Sequence, residues 1–437
     1  MTIALASWLT RFTVYSSSRK TERVHGSFLL ESCQEKVGKP LCKSPGPLLH
    51  WISMAPPRSR TRNTPGPGEI LQLIRTGAAF TRAELMAKTG LSRPTMGLRL
   101  DQLLEHRLIY DSGGEFTGGR PASAFAFNPR GGVILSAGIG ATHCRIGVTD
   151  LSGDVVAEVA SDLDVASGPD VVMPWVEARF RKLLRHASGD ALAVGIGVPA
   201  PVEHSTGRPV RPPIMPGWDG YPIAERLREA FGVPVLVDND VNSMAWGEHW
   251  LHYRNEPHML FVKVGFGIGL GIVADGRIRR GADGAAGDIG HLAVSAATGI
   301  RCHCGNVGCL EAIASGGAMA RQLDLKDSRA VVASAFAGDE RAMELVRESG
   351  RLIGEGLVSA VNLLNPRVIV VGGDIALADH LLLAGIREVV YQRSPPLATR
   401  HLRIVRSMLG DRAGLIGAAM MAIEHVLSPA MVDTLVA

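Results

Sequence analysis

The sequence has little of what would tie it to a membrane or to an oxidising compartment. No uninterrupted apolar run reaches the ~18 residues needed to cross a bilayer, so a spanning helix is excluded. The opening stretch from Met1 to Leu9 is mildly apolar but lacks a basic leader and a cleavage site, which argues against a signal peptide. Only 6 cysteines occur in 437 residues, too few for a disulfide scaffold. Lysine is scarce, 8 against 38 arginines, which suggests a GC-rich genome and says nothing of a substrate. With 46% hydrophobic and 20% charged residues, the chain also lacks the composition of a disordered protein. The expectation is a cytoplasmic globular protein of about three units at ~150 residues each.

What is present is unevenly placed. Residues 1–130 carry 18 Lys+Arg against 9 Asp+Glu, whereas residues 131–437 carry 28 against 33, so the basic end is the candidate for a polyanionic partner. Residues 1–61 read as a disordered leader, or as the product of a start placed upstream of Met54. From Pro67 three helical periods follow. Ile70, Leu71, Leu73 and Ile74 mark one apolar face, Thr81-Arg82-Ala83-Glu84 is a capping box, and Ser92 caps a third helix running to about Arg107. On that helix Met96, Leu100, Leu103 and Leu104 face inward, leaving Arg93, Thr95, Gly97 and Arg99 outward. Leu108-Ile109-Tyr110 and Ala124-Phe125-Ala126-Phe127 bracket a glycine-rich loop with Gly119-Arg120-Pro121, a β-hairpin wing. Residues 62–130 are therefore predicted to be a winged helix-turn-helix that binds double-stranded operator DNA. Ser92, Arg93, Thr95 and Arg99 would reach the major groove, and Arg120 the minor groove.

Residues 131–437 read as α/β. Val133-Ile134-Leu135, Cys144–Thr149, Ala193–Val198, Val233–Val237, Leu260–Val264 and Arg367–Val371 are strand-like, and residues 171–187 form an amphipathic helix. Two similar halves are expected, with the site where strands end in polar residues.

Two segments carry chemistry. Cys302-His303-Cys304-Gly305-Asn306-Val307-Gly308-Cys309, preceded by Gly290-His291, supplies three thiolates and an imidazole for a closed tetrahedral zinc site. His303 is an alternative fourth ligand, but it lies between two ligands where its ring would point away, so His291 is taken. Such an ion would organise the loop, with no open position to activate water. At Asn239-Asp240-Val241-Asn242 a carboxylate and an amide can bind adjacent sugar hydroxyls, or Asp240 can act as general base toward a phosphate.

Gly281-Ala282-Asp283-Gly284-Ala285-Ala286-Gly287-Asp288-Ile289-Gly290-His291, the cysteine cluster continuing into Leu310-Glu311, the Asn239–Asn242 segment and Val371-Gly372-Gly373 together resemble the ROK family (repressor, open reading frame, kinase). The resemblance covers about residues 67–425. It implies a two-lobed, actin-like sugar-kinase fold (ribonuclease H-like, duplicated) behind the winged helix, with lobe one at about 131–250 plus the C-terminal helix and lobe two at about 251–415. By the same resemblance Asn239, Asp240, His291 and Glu311 are sugar contacts. Asp288 is taken as a fifth sugar contact and stands where the family generally has Glu, its carboxylate withdrawn by about 1.5 Å, one carbon–carbon bond. The loop from His291 to Cys302 is one residue longer than usual.

Kinase members have a first phosphate loop resembling Asp-x-Gly-Gly-Thr and a second Gly-Thr-Gly turn. Here the aligned stretches are Gly138-Ile139-Gly140-Ala141-Thr142 and Gly265-Phe266-Gly267. The metal-nucleotide Asp is gone and a bulky ring replaces a hydroxyl. Each lost electrostatic partner costs about 10²–10³ in rate. The expectation is thus a sugar-responsive regulator, a repressor relieved by carbohydrate, with Asp240 a vestigial general base. A homodimer or dimer of dimers would present the helices to two half-sites. An ATP-dependent sugar kinase is the alternative.

Overall fold

A computed structural model describes residues 64–113 and 124–437. The expectations for residues 1–61 and for Arg120 lie outside these residues.

The N-terminal helices are α1 (Pro67–Arg75), α2 (Arg82–Thr89) and α3 (Arg93–Glu105). The Thr81 capping box is complete: Glu84 N–H donates to Thr81 Oγ1 and the Glu84 carboxylate accepts from the Thr81 N–H. Ser92 caps α3, which ends two residues short of the expected Arg107 because Arg107 itself turns left-handed at φ 58°. Strands β1 (Ile109–Asp111) and β2 (Phe125–Phe127) pair antiparallel as the stem of the wing, with Ile109 opposite Phe127.

Strands β3 (Val133–Ile139), β4 (His143–Asp150) and β5 (Val155–Asp162) form an antiparallel meander. Helix α4 (Pro169–Leu184) crosses to β6 (Ala191–Val198). A short ribbon of β7 (Val202–Glu203) and β8 (Arg208–Pro209) and helix α5 (Ile223–Phe231) then lead to β9 (Val235–Asn239), followed at once by α6 (Asp240–His252). The sheet order is β5-β4-β3-β6-β9, the last two strands parallel to β3.

The second half repeats this plan. Strands β10 (Met259–Val264), β11 (Ile268–Ala274) and β12 (Arg277–Ile278) are the meander. Helices α7 (Glu311–Ala314), α8 (Gly316–Gln322), α9 (Ser328–Phe336) and α10 (Glu340–Leu364) precede β13 (Val368–Gly372). Helix α11 (Asp379–Arg393) and the single turn α12 (Pro396–Thr399) lead to β14 (Arg403–Arg406), and α13 (Ala413–Val426) and α14 (Pro429–Leu435) end the fold. The order β12-β11-β10-β13-β14 matches the first sheet position for position, so the two halves share one topology.

The halves exchange their closing helices: α6, which ends the first, packs on β11 and β10, while α13, which ends the second, packs on β3 and β6. The two helices meet backbone to backbone. A Cβ at Gly417 would lie 1.6 Å from the Ser243 carbonyl oxygen, so only glycine permits the crossing.

The winged helix shares a core with this crossing. Ile70, Leu71, Ile74, Leu85, Met96, Leu100 and Leu103 join one buried cluster with Ile416, Met420, Ile423, Leu427, Val432 and Val436. Helix α1 has no side-chain cap of its own at Gly66. Asp433 of α14 supplies one, its Oδ1 accepting from the Gly68 N–H at 2.8 Å. Gln102 Nε2 of α3 donates to the Val436 carbonyl at 3.2 Å. Among the described residues no single helix is long and apolar enough to cross a membrane, and the apolar pair formed by residues 410–426 and 429–435 is bent by 68°.

Candidate functional site

The interlobe cleft gathers all five residues singled out as sugar contacts. Asn239, Asp240, Asp288, His291 and Glu311 line one cavity of about 470 Å³, inside the range of about 300–1,000 Å³ that holds small-molecule ligands. Asn239 and Asp240 stand where β9 gives way to α6, at the carboxyl end of the sheet. Asn239 is the N-cap of α6: its Oδ1 accepts from the Val241 and Asn242 N–H groups and its Nδ2 donates to the Ala200 carbonyl at 2.9 Å. Those bonds leave one amide N–H for a ligand.

Asp240 is buried, and its Oδ2 is ion-paired with Lys263 Nζ. Sequence reasoning missed Lys263, although a lone lysine inside the apolar run of β10 was a signal, since lysine is seldom buried unpaired. It also missed the support beneath the site. Buried Asp238 accepts from the Asn239 N–H and from Asn242 Nδ2 through Oδ1, and pairs with Arg280 Nε at 2.6 Å through Oδ2. Arg280 opens the segment carrying Asp288 and His291, so this pair ties the two sides of the cleft together.

His291 faces both ways. Its Nδ1 lies 3.8 Å from Cys302 Sγ, while its Nε2 lies 3.8 Å from Asp288 Oδ1 on the cleft side. Partial desolvation raises the Asp288 carboxyl above its ordinary range, opposed by His291. Glu311 Oε2 accepts from the Ile268 N–H at 2.9 Å, which fixes its carboxylate between the Gly265–Gly267 turn and the cysteines.

One ligand atom from each of His291, Cys302, Cys304 and Cys309 lies within 4.8 Å of the others. Tetrahedral zinc with Zn–S of about 2.3 Å would separate its sulfurs by about 3.8 Å. Cys304 Sγ and Cys309 Sγ are 3.7 Å apart, so the cluster can hold such an ion. Gly305 and Gly308, at φ 93° and 92°, let the loop curl between the two thiols. His303 is not part of this group; its Nε2 sits 3.2 Å from Arg321 Nη1. Burial pushes the Cys309 thiol up to about 12, so loading a cation here would release protons.

The neighbouring groove, lined by the two glycine-rich turns at Gly138–Thr142 and Gly265–Phe266, is small and already furnished. It offers about 60 Å³ between Gly138–Arg145, Lys263, Gly265, Phe266, Asp374 and Asp411. Asp374 is 8% exposed and accepts from Ser328 Oγ at 2.6 Å and Arg329 Nε at 3.4 Å. The N–H groups of Gly316 and Gly317, at the start of α8, are spent on the carbonyls of Gly265 and Phe266. A triphosphate would meet Asp374, Asp411 and occupied amides there, alongside Arg145 and Lys263.

On the winged helix, Ser92 and Arg93 are exposed at the start of α3. Thr95 and Arg99 are half-buried: the Thr95 hydroxyl lies 2.8 Å from that of Ser92, and Arg99 Nη1 donates to Gln102 Oε1 at 3.2 Å.

Comparison with known proteins agrees with this architecture. The model of the ROK family matches residues 134–425. A xylose repressor of Caldicellulosiruptor bescii is 27% identical over 384 residues, covering 82% of this chain and 95% of its own. The crystal structure of a ROK family transcriptional regulator, a homologue of the Escherichia coli MLC protein, superposes with a TM-score of 0.71 at 25% identity, covering 85% of this chain and 98% of that one. A ROK glucokinase from Streptomyces griseus, solved with glucose and AMPPNP, superposes with a TM-score of 0.58 at 27% identity but covers only 66% of this chain. With the matched region spanning most of the sequence and the cleft, cysteine cluster and doubled sheet all in place, the chain belongs to the ROK family.

Proposed function

We propose that this protein is a sugar-responsive transcriptional repressor that binds operator DNA through its winged helix and is released when a carbohydrate enters the interlobe cleft. The observation that carries the reading is the Lys263–Asp240 ion pair, set beside a small groove lined by Asp374 and Phe266. The carboxylate that would act as general base is held by an internal cation, and the groove adjoining it offers only about 60 Å³. Binding survives without phosphoryl transfer. Asn239, Asp240, Asp288, His291 and Glu311 hold the sugar, and a structural zinc on His291, Cys302, Cys304 and Cys309 fixes the far wall.

Ser92, Arg93, Thr95 and Arg99 meet the major groove from the capped end of α3, Arg93 as an exposed cation and Arg99 after releasing Gln102. Two copies of the chain bind half-sites about one helical turn apart, and the protein works in the cytoplasm. The sugar must bind one lobe arrangement better than the other to shift the DNA equilibrium.

The test is a gel-shift assay of the full-length protein on DNA from its own upstream region, paired with calorimetry against a panel of sugars. Arg93→Ala is expected to weaken DNA binding while leaving sugar affinity intact, and Asp240→Asn to do the reverse. If each variant lost both activities, or if the protein turned over ATP with a hexose, the reading would fail.

A further inference from the structure

The end of the cleft vacated by phosphoryl chemistry is not blank. Phe266 lines both the sugar cavity and the small groove beside it, and its ring lies against Gly317, where a Cβ would come 3.4 Å from it. His303 lines the same cavity with its ring centroid 6.3 Å from that of Phe266, tilted by 37°, and Arg321 holds its far nitrogen. Two aromatic side chains thus stand together among the residues that line, with Asp240 and Lys263, a cavity of about 470 Å³. The electron-rich face of an aromatic ring attracts the weakly positive C–H groups of a pyranose, so such a pair is suited to a sugar ring.

Lys263 adds a second, chemical constraint. An unpaired Asp240 would suit a free hydroxyl, which donates to the carboxylate. A glycosidic oxygen has no proton and can only accept. Lys263 has three N–H donors and gives one to Asp240, so it can still donate to an oxygen that only accepts, such as the linking oxygen of a glycoside.

We infer that Phe266, His303 and Lys263 form a second carbohydrate subsite, so that the effector is a disaccharide-sized glycoside whose linking oxygen sits at Lys263 and whose second ring lies against Phe266 and His303. The inference rests on the reading of the cleft as a sugar site.

The test is titration calorimetry of the full-length protein with D-xylose, D-glucose and N-acetylglucosamine, and with xylobiose, cellobiose, maltose and N,N′-diacetylchitobiose. At least one dimer is expected to bind tenfold or more tightly than its monomer. Phe266→Ala should remove that advantage, and Phe266→Tyr should keep it. Monomers binding as tightly as every dimer would overturn the subsite while leaving the sugar cleft standing, and so would a Phe266→Ala variant that weakened monomer and dimer in equal proportion. Absence of binding by all seven sugars would overturn the cleft reading itself.

Discussion

Glu424 offers a direct test of how the winged helix is seated on the sugar-binding half. It projects from α13 beside Trp246 of α6 and within the field of Arg75 from α1, Arg254 and Arg280. Burial pushes its carboxyl up from 4.5 to about 7, even though the three arginines pull the other way. The folded protein therefore keeps a proton that the unfolded chain has lost between these two values, and stability falls as pH rises through that window, reaching its floor above about 7. At about 1.36 kcal/mol per unit the full shift corresponds to about 3 kcal/mol, and partial solvent access reduces this to about 1–3 kcal/mol. Glu424→Gln removes the charge while keeping the shape. Urea unfolding of both proteins should show the variant more stable at pH 8 by that amount and the two nearly equal at pH 4.5. A variant no more stable than the parent at pH 8, with the parent's decline between pH 5 and 7 unchanged, would refute the claim that this carboxylate is buried at a cost.

Other perturbations reach different parts of the structure. Gly417→Ala forces a methyl group into the Ser243 carbonyl, and urea midpoints should register a loss of about 1–3 kcal/mol. Asp433→Ala uncaps α1 from a distance and should cost about 1 kcal/mol in the same assay, while Asp433→Asn should retain most of the stability. Cys304→Ser should lower metal content measured by atomic absorption, and stripping metal with a chelator should lower both the melting temperature and the affinity for sugar, because the His291–Cys309 loop forms one wall of the cleft. Unchanged melting after complete metal removal would contradict the structural role given to the cluster.

The parts of this structure that could be read from the sequence are those decided by neighbours along the chain. The Thr81 box, the Ser92 cap and the inward face of Met96, Leu100 and Leu103 follow from spacing within a few turns, and each stands where the pattern put it. The grouping of His291 with the cysteines was legible because three of its four residues fall in one loop, and the cleft-lining residues because they stand in motifs that resemble the family's. The exchange of α6 and α13 between the halves was not legible, since it depends on backbones meeting at Ser243 and Gly417, far apart in sequence. For the same reason the pairs Lys263–Asp240 and Arg280–Asp238 stayed hidden: a charge in a strand announces that a partner exists, but not which one.

The shared wall between the N-terminal helices and α13–α14 has a consequence for synthesis. Ile70, Leu71 and Leu100 belong to one buried cluster with residues as late as Val432 and Val436, and the first turn of α1 takes its cap from Asp433. During translation the DNA reader emerges early but cannot complete its hydrophobic interior until the final helices leave the ribosome. A truncated nascent product therefore carries an unfinished reader, and competence to occupy an operator arrives together with the finished ligand sensor.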